Sequence, residues 1–314
     1  MARFYQTGTA ATAGDLLSII SFFMTNTVGT WNLVHSNGAE LFNNTNNEAN
    51  TKNSRYFSMN GGYYFLSTGI NDYANYMIGG VIEGISPTDS GGSPYAYDDQ
   101  VGYQRAFTAN DMAGPYTKYH LFGGNEGVDG NYIYCVLETT AGLFTHFGIG
   151  DLNRIGSLTG RFAVGLYWNM GVSYWRSIGN SRHQRMFDSN AQNYGVGGHL
   201  SYHQTTTSPT PETFQFGGTN QVYGGSIGGW NAQFIDDNPN TLNGRVMLMP
   251  NHIRVWEGAW YRIAGIAPAF RTLRIDNLQP EDIVDTDWMV FPVKAKNAAT
   301  GPTSGVYGWA YKFQ

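Results

Sequence analysis

Residues 131–152 read NYIYCVLETTAGLFTHFGIGDL, and this stretch decides the fold class. Two sets of side chains alternate along its first half: Tyr132, Tyr134, Val136 and Glu138 with Ile133, Cys135, Leu137 and Thr139. Strict alternation is typical of a β-strand. A short turn at residues 140–142 leads into a second run, residues 143–149. The sequence therefore predicts a β-hairpin whose strands need cover on at least one face.

Short runs of β-forming residues recur on both sides of this hairpin. They are residues 27–36, 55–66, 161–168, 171–175, 199–203, 244–248, 253–256, 260–263, 288–293 and 306–313. Residues 55–66 are predicted to be two short strands around Asn60-Gly61-Gly62. Gly, Asn and Pro separate them, and the stretches 37–53, 86–100 and 205–211 are polar enough to be long loops. We predict a mainly β chain, an antiparallel β-sandwich or barrel-like body with long Gly/Asn-rich loops. Residues 1–314 are expected to be a single β domain, or two intimate subdomains divided near 205–211.

One short N-terminal α-helix is predicted over residues 15–26. Its apolar side chains at i, i+3, i+4 and i+7 are Leu16, Ile19, Ile20 and Phe23. This spacing places them on one helix face. Asp15 is expected to be the N-cap or an acidic residue of the first turn, and Asn26 is expected to end the helix.

Composition excludes several classes of protein. Of 314 residues, 18 are Lys or Arg and 23 are Asp or Glu, for a net charge of −5. No Lys/Arg cluster is present to bind phosphates, so we expect no primary contact with nucleic acid. The longest apolar segment, residues 16–24, is too short to cross a bilayer. We expect no membrane insertion and no secretory signal, and therefore folding in a cytoplasm.

No pattern of catalytic or metal-binding residues stands out. Cys135 is the only cysteine, and no G-x-S-x-G motif occurs. His199 and His203 share one side of a strand, but no third metal ligand is placed near them. The stretch 148–151, GIGD, lacks a following helix, so we interpret its glycines as turn residues. We expect no cofactor, no metal and no enzymatic activity.

Two kinds of side chain keep alternative functions open. The acidic residues that could serve a glycoside hydrolase are Asp236, Asp237, Glu281, Asp282, Asp285 and Asp287. Their sequence surroundings are loop-like, which favours solvated turn residues over a catalytic pair. The aromatic residues that could form a glycan platform are Trp168, Trp175, Trp256 and Trp260. They could equally fill a β core or contact other subunits.

The low charge favours assembly. A surface of Asn, Gly, Ser, Thr and Tyr can be buried against neighbouring subunits without desolvating ions, which is costly at an interface core. The chain is 13% charged, against roughly 25% in an ordinary soluble domain. The composition therefore suits a homo-oligomer within a particle, although a lectin-like module would share it.

Residues 134–150, YCVLETTAGLFTHFGIG, resemble a strand pair of virion structural proteins of tailed bacteriophages. In that family a V-x-E strand, a short turn and a F-x-H-F-G-x-G strand follow one another. Three other segments resemble the same family: the helix start at Asp15-Leu16-Leu17 leading to Trp31, residues 288–293 (WMVFPV) and residues 305–311 (GVYGWAY). Residues 153–287 match nothing in it.

The resemblance implies a tail, neck or baseplate component, present in several copies, and it gives no catalytic residues to assign to this chain. We therefore expect a virion protein, assembled in the host cytoplasm, whose partners are other virion structural proteins. Leu16, Ile19, Ile20 and Phe23 are the candidate subunit contacts, unless the helix instead covers its own sheet. The alternative function is a glycan-binding or host-receptor-binding β module of the same particle.

Overall fold

The computed structural model describes most of the N-terminal third, the central hairpin and the C-terminal strands. The described residues are 2–37, 54–60, 62–68, 77–82, 107–108, 114–125, 130–140, 142–151, 153–154, 161–165, 185–187, 193–195, 246–256, 261–292, 295–296 and 307–314. The predicted division near 205–211 and the predicted strands at 171–175 and 199–203 lie outside them.

Antiparallel strands dominate these residues, as the sequence predicts. The strands in chain order are β1 Ala2–Ala10, β2 Asn32–Asn37, β3 Ser54–Met59, β4 Gly62–Thr68, β5 Met77–Ile82, β6 Phe107–Thr108, β7 Tyr116–Asn125, β8 Asn131–Thr140, β9 Leu143–Asp151, β10 Asn153–Arg154, β11 Arg161–Gly165, β12 Arg185–Phe187, β13 Asn193–Gly195, β14 Met249–Trp256, β15 Tyr261–Arg274, β16 Ile283–Val284, β17 Trp288–Pro292 and β18 Tyr307–Lys312. The mainly β, antiparallel fold class with a short N-terminal helix is therefore confirmed.

The described strands form three sheets. The central sheet has the order β1-β7-β8-β9-β11-β12-β13, and the N-terminal sheet has the order β2-β3-β4-β5-β6. The C-terminal sheet has the order β10-β15-β18-β17-β16, with β14 also paired to β15. The predicted hairpin is β8 and β9, and its residues pair from Tyr132 with Gly150 to Glu138 with Phe144.

Helix α1 spans Ala13–Phe22 and continues into one π-helical turn, Phe23–Val28. Thr12 begins the helix, because its hydroxyl accepts from the Asp15 amide at 3.1 Å and donates to the Asp15 carboxylate at 2.9 Å. Gly29 ends the π-helical turn in a left-handed conformation with φ 76°. Asp15 therefore lies in the first turn, which is one of its two predicted roles, whereas the predicted end at Asn26 was wrong because the π-helical turn continues to Val28.

Both faces of the central hairpin, β8 and β9, are buried. On one face, Ile133, Cys135 and Leu137 of β8 share a hydrophobic cluster with α1 and with Phe57 and Leu66 of the N-terminal sheet. On the other face, Tyr134 contacts Phe270 and Tyr311 of the C-terminal sheet, with ring centroids 5.3 and 5.4 Å apart. This double burial explains why strand β8 is apolar at nearly every position.

Glycine at positions 124 and 148 lets tyrosine rings pack directly against the central sheet. A Cβ added to Gly148 would overlap the Tyr134 ring, and one added to Gly124 would overlap the Tyr132 ring. Gly150 is equally closed, by the backbone of Asn131 and Tyr132. Gly148 and Gly150 therefore lie inside strand β9, and their interpretation as turn residues was wrong.

Candidate functional site

Charged and polar side chains meet at the seam between the central and C-terminal sheets. Strand β1 supplies Tyr5, strand β7 supplies Lys118 and His120, and the turn before β16 supplies Glu281. Residues 118 and 120 lie on one face of β7 because side chains alternate along a strand. We call these four residues the seam cluster.

His120 lies at the centre of the seam cluster and is fully buried. Its Nδ1 lies 2.8 Å from the Tyr5 hydroxyl, and its ring lies 4.7 Å from that of Phe291 between centroids. Among the described residues its Nε2 has no hydrogen-bond partner, and the Glu281 Oε1 lies 3.8 Å away. The nearby carboxylate favours the tautomer with the proton on Nε2, so that Tyr5 donates its hydroxyl proton to Nδ1.

Glu281 is held in place by its backbone and by Lys118. The Lys118 Nζ lies 2.7 and 2.6 Å from the two carboxylate oxygens. The Glu281 amide donates to the Val290 carbonyl at 2.7 Å, and the residue has a left-handed φ of 71°. The turn therefore positions the Glu281 carboxylate, and the Lys118 ammonium balances its negative charge beside His120.

Burial sets the protonation states at the seam. It lowers the pKa of His120 to about 4, a shift that Glu281 opposes and Lys118 reinforces. Burial also raises the pKa of the Tyr5 hydroxyl. At neutral pH, His120 is therefore uncharged and Tyr5 keeps its proton. A raised pKa is the opposite of what activates a phenol as a nucleophile.

A second buried histidine lies on the same face of the central sheet. His146 of β9 has Nε2 3.0 Å from the Pro292 carbonyl oxygen and Nδ1 3.0 Å from the Tyr311 hydroxyl. Its ring packs edge-on against Trp309, with centroids 4.6 Å apart. Both nitrogens are engaged with the C-terminal sheet, so His146 ties the two sheets together.

The helix residues offered as subunit contacts lie in the core of this chain. Leu16, Ile20 and Phe23 are fully buried, and Ile19 packs partly buried against the same cluster. The helix covers its own sheets, which was the alternative interpretation. The large apolar residue of the helix that is exposed is instead Phe22, whose relative exposure is 62%.

The structure does not describe the side chains of the four tryptophans proposed as a glycan platform. Trp168, Trp175 and Trp260 lie outside the described residues, and of Trp256 only the backbone, at the end of β14, is described. His199, His203, Asp236 and Asp237 lie outside them too. The glycan-binding alternative therefore stays a prediction.

The remaining acidic candidates lie in turns; Asp285 is exposed, and the others have structural partners. The Asp282 carboxylate accepts from the Gln279 amide at 2.7 Å, and Asp287 pairs with the Lys312 Nζ at 2.7 Å. Within the described part of the chain, no three His, Cys, Asp or Glu side chains are grouped as metal ligands. No helix among the described residues is long and apolar enough to cross a membrane.

No protein-family model matches the chain, and no curated protein matches it significantly. Its function is therefore argued from its own residues.

The sequence did not reveal the seam cluster. Strand β7, YTKYHLFGGN, carries Lys118 and His120 on one face, which obscures the apolar alternation of a buried strand. Strand β1 is similarly polar. Strand β7 could have been predicted from the two-residue spacing of Tyr119, Leu121 and Gly123. These three positions face the helix.

Proposed function

We propose that the chain is a structural component of a tailed-phage virion, in the tail, neck or baseplate. It acts through protein–protein contacts in a multi-copy assembly whose partners are other virion structural proteins. On this proposal the buried histidines and tyrosines hold the sheets together and take no part in a reaction.

The observation that carries the proposal is how the segments resembling phage virion proteins pack. His146, from the F-x-H-F-G-x-G strand, bonds to Pro292 of the WMVFPV segment and to Tyr311 of the terminal segment. On the opposite face of the same hairpin, Leu16 and Trp31 pack in one cluster with Cys135. Segments far apart in the sequence thus form a single packed unit. This supports treating the resemblance as that of one fold rather than of scattered matches.

The chemistry of the interior also supports a structural role. His146 has both ring nitrogens bonded, and the Tyr134 hydroxyl donates to the Pro268 carbonyl at 2.8 Å. Burial raises the pKa of the Cys135 thiol, which favours the unreactive protonated form. These groups stabilise the sheet-on-sheet packing, as expected for a rigid building block.

Exposed apolar side chains supply candidate contacts for neighbouring subunits. Phe22 lies on the exposed side of α1, and Leu33 and Val34 are exposed on β2, an edge strand of the N-terminal sheet. Asp15, Ser18 and Asn26 are exposed along the same helix, so Phe22 is surrounded by short polar side chains. An aromatic side chain in a polar surround resembles the anchor residue of a protein interface.

The test is cosedimentation with particles. Phage particles from the lysate in which the chain is produced are banded on a density gradient, and the chain is detected with an antibody. The proposal expects the chain in the particle band after a high-salt wash, which removes weakly adsorbed protein. A chain found only at the top of the gradient, as free protein, would contradict it.

A further inference from the structure

Of the four kinds of side chain in the seam cluster, histidine is the one whose ordinary pKa lies between pH 5 and 8. In its neutral form the His120 ring is enclosed by Tyr5, Phe122 and Phe291. These are apolar or weakly polar neighbours that cannot stabilise a cation as water does. The arrangement therefore favours the uncharged ring.

The charged and titratable groups around His120 come from three elements. Strand β1 supplies Tyr5, whose hydroxyl can serve Nδ1 as donor or acceptor. Strand β7 supplies Lys118, and the turn supplies Glu281, the anion nearest to Nε2. His146 and Tyr311 stand farther along the seam, where the His146 ring contacts the same Phe291.

Glu281 is poorly placed to compensate a proton on His120. Its carboxylate already receives two short hydrogen bonds from the Lys118 ammonium, and it lies beyond hydrogen-bond distance of Nε2 at 3.8 Å. The Lys118 ammonium would also repel an imidazolium. A charged His120 can gain hydrogen bonds either by drawing Glu281 away from Lys118 or by admitting water between the sheets.

We propose that His120 makes this seam acid-sensitive. While the ring is neutral, strand β1 stays paired with β7 and the Glu281 turn stays docked on the central sheet, and protonation of the ring loosens both. The hairpin β8–β9 remains folded, because the helix and the N-terminal sheet hold its other face. The seam between the central and C-terminal sheets therefore opens locally as the pH falls from neutral to mildly acidic.

The direction of the pH effect follows from the pKa of His120 in the open and in the closed state of the seam. An exposed histidine has a pKa near 6.5, and His120 in the closed seam has a pKa of about 4. The open state binds the proton more readily, so closure is fully favoured above about pH 6.5 and weakens as pH falls toward 4. Between pH 7 and pH 5 the closing equilibrium constant is expected to fall about 20-fold.

Hydrogen exchange followed by mass spectrometry tests this on the full chain at pH 7 and pH 5, after correction for the intrinsic exchange rate. Three proteins are compared: the wild type, Tyr5→Phe, and the double variant Tyr5→Phe/His120→Phe. The double variant removes the titrating ring without leaving a tyrosine hydroxyl unpaired, and Tyr5→Phe is its matched control.

We expect peptides covering β1 and residues 275–292 to lose protection at pH 5 in the wild type and in Tyr5→Phe. In the double variant they should keep it, and peptides of β8 and β9 should be unaffected in all three. Equal acid opening with and without His120 would overturn the proposal. Should the double variant not fold, NMR titration of the wild-type ring decides: a His120 pKa of 6.5 or above would overturn it, and one well below would support it.

Discussion

The imidazole Nε2 of His146 lies 3.0 Å from the carbonyl oxygen of Pro292. Because a carbonyl can only accept, Nε2 must carry a proton, and in the neutral ring Nδ1 is then the acceptor. The Tyr311 hydroxyl, 3.0 Å from Nδ1, therefore donates to it. One histidine of the central sheet thus connects two neighbouring strands of the C-terminal sheet, β17 and β18.

Tyr311→Phe should destabilise the fold by leaving Nδ1 of His146 buried without its donor. An unsatisfied buried acceptor costs about 1–3 kcal/mol in the free energy of unfolding. Urea denaturation measures this. The double variant Tyr311→Phe/His146→Leu should lose less than the sum of the two single variants, because they share one interaction. Strictly additive losses would show that the bond contributes nothing.

Ile20→Asp should prevent stable folding, whereas Phe22→Asp should not. Ile20 is fully buried in the core, and an unpaired buried carboxylate costs about 4 kcal/mol or more. Phe22 is exposed on the same helix, so its replacement should change stability by about 0.5 kcal/mol or less. Thermal melting of the two purified proteins compares them.

Ile20→Asp and Phe22→Asp also distinguish a defect in folding from a defect in assembly. If Phe22 contacts a neighbouring subunit, Phe22→Asp should give a normally folded chain that incorporates poorly into particles. Normal incorporation of Phe22→Asp would remove Phe22 from the interface while leaving the core assignment of Ile20 intact.

Gly148→Ala should be strongly destabilising, because the added methyl group would overlap the Tyr134 ring and lie 2.9 Å from the Ile133 carbonyl oxygen. Overpacking of this kind costs about 1–3 kcal/mol. Gly142→Ala is the comparison: it has open space around it but a left-handed φ of 82°, so only backbone strain of about 1 kcal/mol applies. Chemical denaturation should rank Gly148→Ala as the more damaging change. The reverse order would argue against close ring-on-glycine packing.

The contribution of Asp276 to stability should disappear in acid. Its carboxylate receives two hydrogen bonds of 2.9 Å from the Arg274 guanidinium, which, as the largest cause, lower its pKa below the usual 3.8. A lowered pKa in the folded state gives stability that is present above pH 3.8 and is lost as pH falls through the folded value. Asp276→Asn should therefore be less stable than wild type at pH 7 and nearly equal to it near pH 2. A difference that does not depend on pH would refute the pairing.

The sequence predicted the mainly β class, the central hairpin and the strand pair around residue 60, because alternation and turn chemistry are local signals. It could not show that the hairpin is covered on both faces, since cover depends on strands distant in the sequence. The apolar helix face was found correctly, but sequence alone cannot distinguish an internal core from a subunit contact; burial of Leu16 and Ile20 decided it. The seam cluster escaped notice because Tyr5, Lys118 and Glu281 come together only in the folded chain.

On the proposed function, several copies of this chain are built into a particle. Quantitative mass spectrometry of gradient-purified particles, with isotope-labelled reference peptides from this chain and from the major tail tube protein, tests it most directly. We predict a fixed whole-number ratio between the two proteins that is unchanged across independent preparations and after a high-salt wash. A chain that is missing from the particles, or present at a variable trace level, would contradict the account.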